Sequence, residues 1–196
     1  MVLSSGKEPH RFSWSEYKDW PAEERWQIID GRAYNMTPAP SIRHQIITGN
    51  FYRTLGNQLA GKICSPFIAP TDVVFDDHNI VQPDVFVVCD SSKFTEANVQ
   101  GSPDLVIEVL SPTTEAWDRG GKFQRYQQMA ALQEYVLIAQ DQPRVERYER
   151  QGDEQWLLTV TTGLNGVLSL RSIGCELGLA DIYRKVAFPE DAGPRR

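Results

Sequence analysis

Pro103-Asp104-Leu105-Val106-Ile107-Glu108-Val109-Leu110-Ser111-Pro112 is the stretch that decides the reading of this chain. Leu105 to Leu110 is a short apolar run between breaker signals, the pattern of a strand buried on both faces. One residue does not belong in such a strand. Glu108 is a carboxylate, and ionised carboxylates are rarely fully buried unless paired or bound to metal, because desolvation costs several kcal/mol.

Upstream, Gln82-Pro83-Asp84-Val85-Phe86-Val87-Val88 repeats the anomaly, with Asp84 opening an apolar strand. If the two strands are neighbours, Asp84 and Glu108 can share a face with Cβ atoms about 5 Å apart. Two carboxylates that close repel, so one takes a proton unless a cation lies between them. A divalent cation with oxygen ligands suits the position. Each acid alone could instead be a solvated strand end.

Downstream, Ser111-Pro112 leads into a helix expected over Thr114 or Glu115 to Ala131, with Phe123, Tyr126 and Ala130 on one side. Lys122 lies early in it, near the end of the Glu108 strand. A lysine there can orient a water or stabilise charge on a phosphoryl oxygen. The competing role is a surface pair with Asp118 at i,i+4, worth about 0.3–0.5 kcal/mol. Gly120 and Gly121 weaken the helix by about 1 kcal/mol each, consistent with a distorted start. Tyr126 shares the Lys122 face and is expected to pack in the core. Asp72, in Thr71-Asp72-Val73-Val74-Phe75, is either a turn residue or a support for a metal ligand.

The rest of the chain supplies a frame. Ser13-Trp14-Ser15-Glu16 is a capping box opening a short helix. Trp26 to Tyr34 around Asp30-Gly31 is a hairpin. Ser41 caps a longer helix whose face is His44, Ile47, Phe51, Leu55 and Leu59, with Gly61 as its stop. His44 falls on the apolar side and is expected as a satisfied core residue, with a place facing the cleft also open. Strands are predicted over Phe67 to Phe75, Pro83 to Val88 and Asp104 to Leu110. A further strand is Glu134 to Ala139, and Arg144 to Arg150 pairs with Gln155 to Thr162. Asp76 to Asn79 reads as a turn, Ser91 to Ser102 as a loop, and Leu179 to Tyr183 as a short helix. The order α-β-β-β-α-β, with an N-terminal hairpin and C-terminal β-additions, is an α/β (α+β) domain on one mixed sheet flanked by helices.

Twenty Lys and Arg stand against 26 Asp and Glu, a net charge of −6. No global basic field exists, so contact with nucleic acid needs a local patch or a metal. Arg43, Arg53, Arg119 and Arg125 are the candidates for a basic rim. No apolar run reaches the ~20 residues of a membrane helix, and Met1 to His10 is polar, without a secretory signal, so a cytoplasmic protein without membrane contact is expected. Cys64, Cys89 and Cys175 are too few and too far apart for a zinc or disulfide framework and are expected as free thiols. Residues 12–188 are read as one domain, with flexible ends over 1–11 and 189–196.

Together Gln82-Pro83-Asp84-Val85, the Pro103 to Pro112 stretch, Asp118, Lys122, Tyr126 and Glu134-Tyr135 resemble the Uma-type endonuclease family, formerly a domain of unknown function. That family belongs to the PD-(D/E)XK superfamily with its restriction-endonuclease-like core. The resemblance extends from about Phe12 to Tyr183 and includes Ile29-Asp30-Gly31, Thr37-Pro38 with His44, and Leu179 to Tyr183. It implies that Asp84 and Glu108 are catalytic and hold Mg²⁺ or Mn²⁺. It also implies that Lys122 supplies the catalytic lysine, since Leu110 fills the slot two residues after Glu108. The substrate implied is DNA, cut by metal-assisted phosphodiester hydrolysis, and a homodimer is implied as well. Gln27 stands where the family usually has glutamate, so an amide oxygen replaces a charge among the accessory residues Gln27, His44, Asp72 and Tyr126.

Two other classes stay open on the sequence. One is a nuclease-fold module that only binds or dimerises, which the net acidity and Gln27 favour. The other is a metal-dependent hydrolase of small phosphate esters, sharing the site but lacking a nucleic-acid groove.

Overall fold

The computed structural model describes residues 10–21, 23–36 and 39–188. Residues 1–9 and 189–196, which make up most of the expected flexible ends, lie outside the described residues, as does Thr37-Pro38. The strands are β1 Trp26–Ile29, β2 Arg32–Asn35, β3 Ser65–Ile68, β4 Val73–Asp76, β5 Asn79–Val81, β6 Val85–Val88 and β7 Val99–Gln100. They continue as β8 Leu105–Val109, β9 Glu134–Ile138, β10 Arg144–Arg150, β11 Trp156–Thr162, β12 Val167–Leu170 and β13 Cys175–Gly178. The helices are α1 Trp14–Tyr17, α2 Ile42–Leu59, α3 over 115–126 and α4 Leu179–Ile182.

A six-stranded sheet, β11-β10-β9-β8-β6-β3, is the centre of the molecule. β8 and β9 are parallel and joined through α3, and the other neighbours are antiparallel. Both β8 and β9 are buried along their whole length. Side chains alternate across such a strand. Leu105, Ile107 and Val109 therefore join the core under α2, with Ile47, Phe51 and Leu55. Val106 and Leu110 join the opposite core, with Phe123, Tyr126 and Tyr135. Glu108 shares that second parity and points toward α3.

The expected element order is present, with differences that have local causes. One mixed sheet becomes three. β2-β1-β5-β4-β7 forms a second sheet, and β12 with β13 a third. The strand expected over Phe67 to Phe75 is two strands in different sheets, because Pro70 lacks the amide that a ladder needs. β5 occupies the end of the expected turn and pairs with β4 and β1. The β1–β2 turn carries Asp30 and Gly31 at φ 52° and 75°, the left-handed values that a tight hairpin requires. α3 ends at Tyr126 rather than Ala131, because Arg150 takes the carbonyls of Gln127, Met129 and Leu132 at 2.9, 3.0 and 2.7 Å.

The thiol expectation fails for one pair. Cys64 and Cys89 form a disulfide, while Cys175 is free and buried. Ser65 pairs with Val88, so the same register continued by one residue sets the two cysteines opposite each other. Their separation of 25 residues hides this in the sequence.

Candidate active site

The β6–β8 register sets Val85 against Ile107 and Phe86 against Val106. Continued by one residue it sets Asp84 against Glu108, the juxtaposition expected of neighbouring strands. Asp84 Oδ2 accepts from the Val109 amide at 2.8 Å and lies 3.0 Å from His44 Nε2. His44 thus faces the cleft rather than only the core. It is held there by its place one turn into α2, behind the Ser41 cap.

Glu108 is met from α3. Lys122 Nζ lies 2.7 Å from Glu108 Oε1, and the Tyr126 hydroxyl donates to the same oxygen at 2.8 Å. Lys122 also lies 3.6 Å from Asp118 Oδ1, so the i,i+4 pair is present. The pair with Asp118 is not a surface pair, since both side chains are about 95% buried. The helix is distorted at this point. Asp118–Lys122 is a single π-helical turn between the α-helical Glu115–Trp117 and Phe123–Tyr126. Such bulges concentrate at functional positions, because they re-aim side chains. Gly121 is required there: a Cβ would meet the Trp117 ring at 2.0 Å.

Charge is uneven in this cluster. Glu108 and Asp118 flank one lysine, and the charge of Asp84, itself beside His44, also acts on it. Burial pushes the Glu108 carboxyl up to about 7, helped by Asp84 and Asp118 and opposed by Lys122. Burial also presses the Lys122 ammonium down, but Glu108 and Asp118 outweigh it and hold Lys122 above its ordinary value, protonated. For His44, burial is again outweighed, by the hydrogen bond and charge of Asp84, and the imidazole is raised.

These residues line a cavity of about 290 Å³, together with Gln27, Gln82 and Trp117. Gln27 Oε1 is buried and has no hydrogen-bond partner among the described residues. An unpartnered buried acceptor is costly, by about 1–3 kcal/mol, unless something outside the chain satisfies it. Asp72 stays behind the wall. It accepts from Gln82 Nε2 at 2.9 Å and from the Tyr17 hydroxyl at 3.2 Å, and Gln82 accepts in turn from Arg25. Its influence reaches the cavity through Gln82.

Sequence reasoning quoted Asp118 and Gln82 in the family resemblance but gave neither a place in the site, and weighed Asp118 only as a surface partner of Lys122. The signal for Asp118 was its spacing from Lys122 inside a glycine-interrupted turn. The anticipated basic rim does not converge. Arg53 is tied to Asn50, and Arg119 to Glu115 and Glu146. Arg125 bonds Asp30 in a neighbouring cavity.

Among the described residues no helix is long and apolar enough to cross a membrane. The chain matches the Uma2 family model, described as a putative restriction endonuclease, over residues 14–180. It is 33% identical over 194 residues to the uncharacterized protein slr1290 of Synechocystis sp., covering 96% of this chain and 100% of that protein. A second Synechocystis protein, the uncharacterized sll1609, is 33% identical over 147 residues, 74% of this chain and 82% of its own length. A crystal structure of a putative nuclease belonging to DUF820, from Anabaena variabilis, superposes with a TM-score of 0.70 at 20% identity, covering 88% of this chain and 97% of that one. At that identity the likeness establishes the fold, which is restriction-endonuclease-like, as the family resemblance implied.

Proposed function

Since the chain belongs to the Uma2 family, described as putative restriction endonucleases, we propose that it is a metal-dependent endonuclease cleaving phosphodiester bonds in DNA. The observation that carries this reading is two buried carboxylates, Glu108 and Asp118, on one Lys122, with the partly exposed Asp84 beside Glu108, in a cavity where Gln27 Oε1 has no partner among the described residues.

The donor set fits a hard divalent cation, being carboxylate and amide oxygens. Among the described residues no three His, Cys, Asp or Glu side chains come together as a metal-holding group. An ion here would therefore rest on two carboxylates, with waters and substrate phosphate completing its coordination. Asp84 and Glu108 would hold the ion, with Gln27 as an accessory oxygen. Mg²⁺ or Mn²⁺ bound there supplies Lewis-acid polarisation of the phosphate and a water of lowered pKa.

The chain's own groups have separable parts. Tyr126 fixes Glu108, and His44 with the Val109 amide fixes Asp84. Lys122 is protonated and can only donate. Its task is therefore to orient the attacking water or to stabilise charge on a phosphoryl oxygen, not to remove a proton. We place a second copy of the chain on the edge strand β11, where Leu157, Leu158 and Val160 are exposed. Sedimentation equilibrium tests that pairing.

The deciding experiment incubates supercoiled plasmid with Mg²⁺ or Mn²⁺ and either the native protein or Glu108→Ala. Nicking by the native protein alone supports the reading. Equal cleavage by both, or none by either at high protein and low salt, overturns it.

A further inference from the structure

A second cavity, of about 700 Å³, adjoins the carboxylate site, and Trp117 lines both. The β1–β2 hairpin walls both as well. Gln27 faces the carboxylates, and its register partner on β2 is Tyr34, a wall of the second cavity. Paired residues on antiparallel strands share a face with Cβ atoms about 5 Å apart. The Tyr34 side chain is therefore next to one that lines the carboxylate cavity.

The chemistry of this cavity is unlike that of its neighbour. Arg11, Arg32 and Arg125 line it, with Asp30 as its carboxylate. Arg125 is ion-paired to Asp30, with Nε at 3.1 Å from Oδ2, so those charges cancel. Arg32 is exposed and makes no ion pair among the described residues, and Arg11 donates only to the Asp30 carbonyl, at 3.4 Å. Among the described residues two guanidinium groups thus have no carboxylate partner, in a chain of net charge −6. Beside them Tyr34 stacks on Trp117, centroids 5.9 Å apart and planes 26° from parallel, with Tyr34 39% exposed. An open aromatic face beside free guanidinium groups matches a nucleobase with its phosphate.

We infer that this cavity holds one unstacked nucleotide of the substrate strand, its base extending the Tyr34–Trp117 stack and its phosphate on Arg32 and Arg11. The inference rests on the endonuclease reading and adds the form of the substrate. A base inside a duplex offers no free face. The strand must therefore be single-stranded or locally opened next to the bond that is cut.

The test is fluorescence anisotropy in EDTA, at low salt, with a labelled ~12-nucleotide single strand and its blunt duplex, a length that fills a site of this kind. The variants are Tyr34→Ala, Tyr34→Phe and Arg32→Glu. Stacking on one aromatic is worth about 1–3 kcal/mol, so Tyr34→Ala should bind the single strand about five- to a hundredfold more weakly, with the duplex little changed. Tyr34→Phe should bind as the native protein does, which separates stacking from misfolding. Arg32→Glu, at an exposed position, should weaken the single strand as well. Native-like single-strand binding by both Tyr34→Ala and Arg32→Glu, or equal loss in Tyr34→Phe and Tyr34→Ala, overturns the inference. If the native protein then still nicks plasmid, the endonuclease reading survives alone. A native protein that neither binds nor cuts DNA sinks both.

Discussion

Glu108 and Glu134 lie on the neighbouring parallel strands β8 and β9, and their side chains are 6% and 1% exposed. By burial alone they are alike. Their surroundings separate them. Glu134 accepts from Arg147 Nη1 at 3.2 Å, from the amides of Arg171 and Ser172 at 3.3 and 3.1 Å, and from the Ser172 hydroxyl. Four donors fill the capacity of a carboxylate. Arg147 is completed by Glu149 and the Ser169 carbonyl. At Glu108 both donors fall on one oxygen, Asp118 shares the same lysine, and a cavity opens beside them. A buried charge that is fully matched holds elements together. A buried carboxylate with an oxygen left over beside a cavity has capacity to bind what enters, which is the basis of the proposed metal site.

The contrast can be broken at either end. The largest expected effect is on chemistry: Glu108→Gln keeps the shape but removes the charge, and plasmid cleavage should fall about 10³-fold. Urea unfolding should show only a modest loss of stability, because an amide oxygen can still accept from Lys122 and Tyr126, and Asp118 still pairs with Lys122. A large drop in the unfolding midpoint would make Glu108 structural. Glu134→Ala should do the reverse. It strips buried Arg147 of one of its two carboxylates and leaves the Arg171 and Ser172 amides without their acceptor, a loss of about 1–3 kcal/mol read from the same urea curves, with cleavage by the folded fraction unchanged.

Smaller changes sharpen the comparison. Gly121→Ala forces Trp117 to move, for about 1–3 kcal/mol of stability, and should lower cleavage too by shifting Lys122 in the π turn. Full activity there would detach the bulge from function. The smallest effect is Gln27→Glu, which adds a charge where the amide oxygen now has no partner. Mn²⁺ binding by calorimetry should tighten about tenfold, or 1.4 kcal/mol. Unchanged affinity would place Gln27 outside the ion's reach.

Much of this was legible along the chain. The α2 face of His44, Ile47, Phe51, Leu55 and Leu59 is buried as its spacing requires, and the capping box at Ser13 and the hairpin at Asp30-Gly31 are present. Those are local signals, set by period and turn chemistry. Asp84 and Glu108 stood out for the same kind of reason, as charges in apolar runs. What was not legible depends on partners distant in sequence. Asp118 reads as a solvent-facing helix residue until α3 is seen folded against β8. Cys64 and Cys89 pair only through the β3–β6 register, and β5 exists only because β1 and β4 flank it.

The amino-acid sequence by itself determined the order of elements, the crossover between two fully buried strands, and the presence of acids where a core strand should be apolar. Hydrophobic period and backbone stereochemistry act over a few residues, so one dimension carries them. The tertiary structure alone decided how charge is shared. It set two buried carboxylates on one lysine with Asp84 beside them, gave Glu134 its full complement of donors, left Gln27 Oε1 without a partner among the described residues, and put an aromatic and arginine-lined cavity beside the acids. Electrostatic balance and desolvation depend on distances between residues far apart in the chain, and only folding sets those distances.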